Sequence, residues 1–223
     1  MTLKDQVAVL TGASSGIGTA IARGLAPACA HIVLFARRKE RLQELAQQLG
    51  EQRATAVAGD VCSLRDFERA RDAAVTRGGL VHILINNAGI EPPELPTWEL
   101  SPEDWRRTLD TNLTGVFHGL RTFLPMMIRQ GYGRVVNISS AMVATPLASA
   151  YSVSKSGIDC LTAIVAQELA GRGVDVIVSS FDPGCIRSEM NPTGAKEPEA
   201  VVPRVIELVT LPPNAPNGAK WTV

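Results

Sequence analysis

Short apolar runs alternate with segments of helical length along this chain of 223 residues. The apolar runs lie at 7–10, 32–35, 54–58, 81–85, 135–138 and 174–178, and the helical segments lie at 16–29, 39–50, 63–77, 101–130 and 151–170. Runs that are apolar throughout, rather than at every second residue, are typical of strands covered by helices on both faces. The alternation therefore predicts βαβ units, a doubly wound parallel sheet and a three-layer α/β sandwich.

Length and charge balance narrow the class of protein further. A chain of this length with 45% hydrophobic content is expected to form a single globular domain over 1–223. Its 22 basic and 22 acidic side chains cancel, so there is no basic excess to attract nucleic acid or an anionic membrane. A small molecule is therefore the expected partner.

The four cysteines show no paired CxxC or Cys/His spacing; they are Cys29, Cys62, Cys160 and Cys185. This pattern predicts neither a disulfide framework nor a metal site. Reduced thiols are typical of a cytoplasmic protein, and we expect that location here. Because no 18 apolar residues run together, no membrane-spanning segment is expected either.

A glycine-rich turn follows the first predicted strand. Residues 11–18 have the sequence TGASSGIG and lead into the first predicted helix. Backbone N–H groups at a helix N-terminus attract an anion, and glycines let that anion approach the chain closely. The spacing is GxxxGxG, not the commoner GxGxxG of dinucleotide sites, and glycines alone also form turns without a ligand. Between a strand and a helix, however, the turn indicates a pyrophosphate site.

Three cations, Arg37, Arg38 and Lys39, follow the second predicted strand. Proteins that prefer NAD usually place an acidic residue here, against the ribose hydroxyls of the adenosine. This chain has no carboxylate at that point, and a guanidinium binds phosphate through paired hydrogen bonds. The pattern favours NADP(H) over NAD(H), with the 2′-phosphate on Arg37 and Arg38. The alternative interpretation is a solvated first turn of the next helix.

The chain contains two tyrosines, Tyr132 and Tyr151. Tyr151 opens a predicted helix, and Lys155 lies one turn later on the same face. Because an ammonium stabilises a neighbouring phenolate, we expect Lys155 to lower the pKa of Tyr151 toward neutrality, where a phenol serves as acid or base. A YxxxK pattern by itself is also typical of a surface pair, so the surrounding motifs decide its meaning.

Polar or turn-forming residues follow three other predicted strands. They are Asn86–Gly89 after the fourth, Ser139 and Ser140 after the fifth, and Pro183 with Gly184 after the sixth. Ligands of open α/β sheets bind at the carboxyl ends of the strands. We therefore expect all three motifs to border one crevice.

With these motifs in this order, the chain resembles the simple, non-extended branch of the short-chain dehydrogenase/reductase superfamily, from Gln6 to about Met190. The resemblance implies a Rossmann-type fold and an oxidoreductase that interconverts a ketone or aldehyde and an alcohol by NADP(H)-dependent hydride transfer, similar to carbonyl reductases. The long helices at 101–130 and 151–170 mediate subunit contacts in similar proteins. A homodimer or homotetramer is expected on that analogy.

The resemblance also implies which residues bind the nucleotide, from the pyrophosphate through the adenine and ribose to the nicotinamide carboxamide. Besides Arg37 and Arg38, they are Gly12, Ser14, Ser15, Gly16, Ile17, Gly18, Asp60, Val61, Asn86, Ala88, Gly89, Tyr151, Lys155, Pro183, Gly184, Ile186 and Ser188. The alternative role of Asp60 is a strand-end cap.

Four residues are implied to be catalytic. Ser140 would polarise the substrate carbonyl, and Tyr151 would deliver its proton. Lys155 would hold the nicotinamide ribose and lower the pKa of Tyr151, while Asn112 would help bind a proton-relay water through its main chain. Because the loop from Ser140 to Tyr151 is about two residues shorter than usual in the family, Ser139 remains an alternative to Ser140.

The segment between Met190 and the proline-led segment at 198 is too short for the helical lid that is common in the family. An open cleft is therefore expected, which suits varied and bulky carbonyl compounds. Two other functions stay open. One is a dinucleotide-binding regulator without turnover, and the other is a reductase of an imine or an activated double bond.

Overall fold

The computed structural model describes residues 3–223; residues 1 and 2, included above in the predicted domain, lie outside the described residues. Each of the six predicted apolar runs overlaps a strand. The strands are β1 (Val7–Thr11), β2 (His31–Ala36), β3 (Ala54–Ala58), β4 (Ile83–Asn86), β5 (Tyr132–Ile138), β6 (Asp175–Asp182) and β7 (Lys220–Thr222).

The helices fill the intervals between the strands. They are α1 (Gly16–Leu25), α2 (Lys39–Leu49), α3 (Leu64–Gly78), α4 (Pro102–Leu109), α5 (Gly115–Gln130), α6 (Ser149–Leu169) and α7 (Val202–Val209). A π-helical turn at Asp110–Thr114 joins α4 to α5, and short 3₁₀ helices lie at Leu3–Asp5 and Pro198–Val201. The start of α4 follows from its cap, since the Ser101 hydroxyl accepts a hydrogen bond from the Asp104 N–H at 3.0 Å.

The seven strands form one parallel sheet in the order β3-β2-β1-β4-β5-β6-β7. The chain winds outward from β1 in one direction through β3, then returns to β4 and winds outward in the other. This confirms the predicted doubly wound α/β fold. The strand order reverses between β1 and β4, and a crevice opens there at the carboxyl ends of the strands.

Alternate residues of the central strands pack into two separate apolar clusters. Ala8 and Leu10 of β1 belong to the cluster that contains the buried faces of α1, α2 and α7. Val7 and Val9 belong to the cluster formed with α3, α5 and α6. All five β1 residues are buried, which explains why the run at 7–10 is apolar throughout. The sheet is thus covered on both faces, as the three-layer prediction requires.

Some element boundaries differ from the predictions. The segment 101–130 is not one regular helix, because the π-helical turn interrupts it at Asp110–Thr114. The first helix ends at Leu25 rather than residue 29, and α6 begins at Ser149, two residues early. The strand β7 was not predicted, because its three residues alternate exposed and half-buried positions at the sheet edge.

Among the described residues, no helix combines the length and apolarity needed to cross a membrane. Residues 3–223 likewise contain no group of three His, Cys, Asp or Glu side chains placed to hold a metal ion.

Candidate active site

A cleft of about 380 Å³ lies at the carboxyl ends of the strands, where the strand order reverses. It brings together residues from the glycine turn, the end of β2, the segment after β3, the loop after β4 and the start of α6. Most of the predicted site residues border it: Gly12, Ser14, Ser15, Gly16, Ile17, Gly18, Arg37, Arg38, Asp60, Val61, Ala88, Gly89, Tyr151, Lys155, Pro183 and Ser188. Asn86, Asn112, Ser140, Gly184 and Ile186 are not among the residues that border it.

The glycine turn is built so that side chains cannot replace its glycines. Gly12 has a φ of +67°, and a Cβ there would lie 2.7 Å from the Asn87 amide nitrogen. A Cβ on Gly18 would lie 2.2 Å from the Gly12 carbonyl oxygen. Ser15, which precedes α1, makes no side-chain hydrogen bond to the N–H groups of the first turn. Because the Ser15 side chain does not cap these N–H groups, they are available to donate to an anion. The turn therefore fits a bound pyrophosphate.

Arg38 connects the end of β2 to the glycine turn. Its Nε donates to the Ser14 hydroxyl at 3.1 Å, and one Nη donates to the Ser15 hydroxyl. Its other Nη pairs with Glu189 at 2.6 Å, and Arg41 pairs with the same carboxylate. Arg37 borders the cleft with its side chain exposed to solvent. Two of the three predicted cations, Arg37 and Arg38, therefore border the cleft, and Arg38 is the one whose side chain contacts the glycine turn.

Asp60 and Val61 lie just beyond β3 and border the cleft. One carboxylate oxygen of Asp60 accepts a hydrogen bond from the Cys62 N–H at 2.9 Å, and the Asp60 N–H donates to Asp66 at 2.9 Å. Asp60 therefore makes hydrogen bonds at the end of the strand and also borders the cleft. The predicted capping role and a position beside a bound adenine are compatible with each other.

Asn86, which the family resemblance places among the nucleotide-binding residues, does not itself border the cleft. Asn86 is buried and donates to Asn137 at 2.8 Å, because it is the last residue of β4 and faces the helical layer. Its neighbour Asn87 borders the cleft instead and donates to the Thr11 carbonyl at 3.0 Å. That bond ties the loop after β4 to the glycine turn. Both amides stood side by side in the motif, but the sequence could not say which of them faces the cleft.

Asn112 is fully buried in the π-helical turn. Its amide group donates to the Ile90 carbonyl at 2.9 Å and to the Ser154 hydroxyl at 3.0 Å, and its side-chain oxygen accepts from the Ile90 N–H at 2.8 Å. The side chain is therefore fully occupied in joining the loop after β4 to α6. Only the main chain of Asn112 is free of these bonds, which is compatible with the water-binding role that the family resemblance implies.

Tyr151 and Lys155 lie in the first turns of α6, and the Lys155 Nζ is 5.5 Å from the centre of the Tyr151 ring. Lys155 is 4% exposed and donates to the Ile138 carbonyl at 2.8 Å. Burial lowers the pKa of Lys155 to about 8, although Asp159 and Asp182 act in the opposite direction. The amine is thus held at the end of β5, beneath the cleft.

The expectation that Lys155 lowers the pKa of Tyr151 toward neutrality is wrong. Burial raises the pKa of Tyr151 to about 12, and the negative charges of Glu91 and Asp182 act in the same direction. The neighbouring Ser140 hydroxyl acts in the opposite direction on the pKa of Tyr151 but does not cancel the rise. Near neutral pH the phenol is therefore protonated and placed to donate.

The two candidate serines have different surroundings. The Ser139 hydroxyl is 1% exposed at residue level and donates to the Lys155 carbonyl at 3.4 Å. The Ser140 hydroxyl lies next to the phenol of Tyr151 and accepts from the Met142 N–H at 3.1 Å. Its carbonyl accepts from Lys220 at 2.8 Å. Ser140 is thus the serine next to the Tyr151 phenol, whereas Ser139 is the one that borders the cleft.

The loop after β6 crosses the mouth of the cleft beside the glycine turn. Ser188 lies so close that a Cβ on Gly16 would be 3.2 Å from its own. Ile186 is buried and Gly184 is exposed, and neither is among the residues that border the cleft. The short loop forms no helical lid, but Glu189 reaches from it to Arg38 and Arg41, a contact that no pattern in the sequence indicated.

Comparison with known sequences identifies related oxidoreductases. A family model described as short chain dehydrogenase matches residues 6–199. The chain is 36% identical over 219 residues to an uncharacterized oxidoreductase of Staphylococcus aureus (strain USA300), covering 94% of this chain and 93% of the relative. It is 35% identical over 190 residues to one of Staphylococcus epidermidis, covering 84% of this chain and 81% of the relative.

Solved structures show the same architecture. The structure is similar to a 3-ketoacyl-(acyl-carrier-protein) reductase from Brucella melitensis complexed with NADH, with a TM-score of 0.92, 26% identity, and coverage of 100% and 98% of the two chains. It is also similar to a variant of actinorhodin polyketide ketoreductase with NADPH, with a TM-score of 0.90, 31% identity, and coverage of 98% and 95%. On the match of the family model and the sequence relatives, this chain belongs to the short-chain dehydrogenase family of oxidoreductases.

Proposed function

We propose that this protein is an NADP(H)-dependent oxidoreductase that interconverts a ketone or aldehyde and an alcohol. The observation that carries the proposal is the position of Tyr151, which borders the same cleft as the glycine turn and whose protonated phenol lies beside the Ser140 hydroxyl. Two similar structures are named as reductases of keto substrates, one complexed with NADH and one with NADPH, which supports the same class of reaction. Residues 1–223 are proposed to act as one domain.

The chain's own residues divide the chemistry into positioning and proton transfer. A nicotinamide nucleotide supplies a hydride when it is bound in this cleft. Ser140 donates a hydrogen bond to the substrate oxygen, and Tyr151 delivers a proton to that oxygen. Lys155 holds the nicotinamide ribose, and Asn112 joins the loop to α6 through two side-chain bonds to Ile90 and one to Ser154. The pyrophosphate is held by the backbone of the glycine turn.

Oxidation of NADPH in the presence of a panel of ketones, aldehydes, imines and activated alkenes tests this function. We expect turnover with some of the carbonyl compounds. Turnover with the imines or alkenes alone would assign the protein to the alternative class of reductases. A protein that binds NADPH but is inert to the whole panel would be a dinucleotide-binding regulator.

We expect Arg38→Ala to weaken NADPH binding by about 10- to 100-fold and to change NADH binding much less. A charge-assisted bond to a phosphate contributes about 1.5–3 kcal/mol, and about 1.4 kcal/mol corresponds to a tenfold change in affinity. Calorimetric titration with both nucleotides measures the difference. Arg71→Ala is the matched control, since Arg71 lies on α3 and pairs with Asp72 at 2.8 Å. Equal losses for NADH and NADPH would contradict the assignment of the 2′-phosphate to Arg38.

We expect Ser140→Ala to lower kcat by about 100-fold, which is typical for removal of one hydrogen-bond donor to a reacting oxygen. Ser139→Ala should lower kcat far less, because the Ser139 hydroxyl bonds to the Lys155 carbonyl rather than to Tyr151. Steady-state kinetics of the two variants with the same substrate compare the serines directly. A larger loss in Ser139→Ala would assign the catalytic hydroxyl to Ser139.

A homodimer or homotetramer in the cytoplasm is proposed as the working form. Three large apolar side chains on α5 and α6 are exposed: Phe117 at 47%, Val153 at 47% and Ile164 at 46%. Exposed apolar residues on these two helices are suited to contacts between subunits. The cytoplasmic location rests on the four unpaired cysteines, which are typical of a reducing compartment.

A further inference from the structure

Two arginines and one glutamate meet beside the glycine turn. Glu189 pairs with Arg38 through one carboxylate oxygen and with Arg41 through the other, so each guanidinium takes one oxygen. The two arginines hold the pKa of Glu189 below its usual range, which keeps it charged at neutral pH. The carboxylate is therefore a bound anion between two cations, supplied by the chain itself.

This anion lies at the cleft and not on a remote surface. Arg38 and Glu189 both border the cleft, and Arg38 also donates to the hydroxyls of Ser14 and Ser15 in the glycine turn. The neighbouring residue Ser188 packs over Gly16. The loop after β6 is thus attached to the nucleotide side of the cleft at two adjacent residues.

We propose that Glu189 competes with the 2′-phosphate of NADP(H) for Arg38, so that NADP(H) must displace this carboxylate to bind. The inference rests on the proposed function, since it takes Arg38 as the residue that binds the 2′-phosphate. A carboxylate and a phosphate present similar oxygens to a guanidinium fork, so both cannot take the same donors of Arg38. NAD(H) carries no 2′-phosphate and can bind while the Glu189 pairs stay intact. Glu189 is therefore a specificity-determining residue that weakens the binding of NADP(H) but not that of NAD(H).

The expected effect of removing this competitor is moderate. The side chains of Arg38, Arg41 and Glu189 are 40%, 50% and 56% exposed, and exposed ion pairs are weak. Glu189→Gln keeps the shape of the side chain and removes its charge. We expect this variant to bind NADP⁺ and 2′,5′-ADP about three- to tenfold more tightly than the native protein. Its affinity for NAD⁺ and 5′-AMP should change by less than about twofold, on the same reasoning.

Isothermal titration of the full chain with these four nucleotides tests the inference without any need for a substrate. Glu197→Gln is the matched control, because Glu197 belongs to the same loop and pairs with Arg187 at 2.9 Å, away from Arg38. This control should bind all four nucleotides as the native protein does. Equal tightening of NADP⁺ and NAD⁺ in Glu189→Gln, no tightening, or weaker NADP⁺ binding would each overturn the proposed competition.

The same titrations separate this inference from the proposed cofactor preference. If the native protein prefers NADP⁺ to NAD⁺ and Glu189→Gln leaves its NADP⁺ affinity unchanged, the competition is refuted and the preference stands. If the native protein and Glu189→Gln both bind NADP⁺ no better than NAD⁺, the 2′-phosphate has no site at Arg38, and the preference and the competition are both refuted.

Discussion

Replacing Tyr151 with Phe is expected to lower kcat between about 100-fold and 10,000-fold while leaving the Kd for NADPH near its native value. Proton transfer by a positioned side chain contributes a factor of that size, and the substitution removes only the hydroxyl that carries the proton. The ring stays in place, with the Lys155 amine 5.5 Å from its centre. Steady-state kinetics with a carbonyl substrate and titration with NADPH measure the two quantities separately.

Tyr132→Phe provides the matched control, since it makes the same chemical change at the other tyrosine of the chain. Tyr132 lies at the start of β5, where its hydroxyl accepts from Gln6 at 3.1 Å and its ring packs under the guanidinium of Arg134. This variant should lose a little thermal stability and keep its kcat. If Tyr151→Phe retained turnover within a fewfold of the native protein, Tyr151 would not be the proton donor.

The parts of this fold that the sequence predicts are those fixed by local periodicity. The apolar run at 7–10 predicts a strand buried on both faces, and the structure buries every residue of β1. The cap at Ser101 and Pro102 predicts the start of α4, because capping depends on residues within one turn. The edge strand β7 lacks any such signal, since it is three residues long and forms by pairing with β6.

The site can be predicted from the sequence to a similar degree. The prediction fails where contacts join distant parts of the chain. Tyr151 and Lys155 are recognisable because they lie one helical turn apart. The pair between Arg38 and Glu189 spans 151 positions, and nothing local distinguishes Glu189 from a solvated surface residue. The raised pKa of Tyr151 depends on its burial and on Glu91 and Asp182, which become neighbours only when the chain folds.

Replacing Lys155 with Met is expected to lower kcat/KM by more than about 100-fold, because the variant loses the cation that holds the nicotinamide ribose and positions the reacting groups. The same substitution should change how stability depends on pH. Lys155 is buried, and its pKa falls from the ordinary 10.5 to about 8 in the folded protein. Between these two values the unfolded chain keeps the proton that the folded protein has released. Stability of the native protein therefore gains from this group as the pH rises through that window.

The methionine variant has no amine to titrate at this position. The stability of the variant minus that of the native protein should therefore be largest near pH 7 and smaller at pH 9.5. A pKa difference of this size corresponds to a change on the order of 2 kcal/mol over that interval, or roughly 4 to 8 °C in Tm for a chain of this length. The loss of the hydrogen bond to the Ile138 carbonyl shifts the variant equally at both pH values. Thermal unfolding of the native protein and the variant at the two pH values measures the change. If the Tm difference between the native protein and the variant were the same at both pH values, Lys155 would keep its ordinary pKa in the folded protein. Burial of the charged amine would then not lower the stability of the native protein.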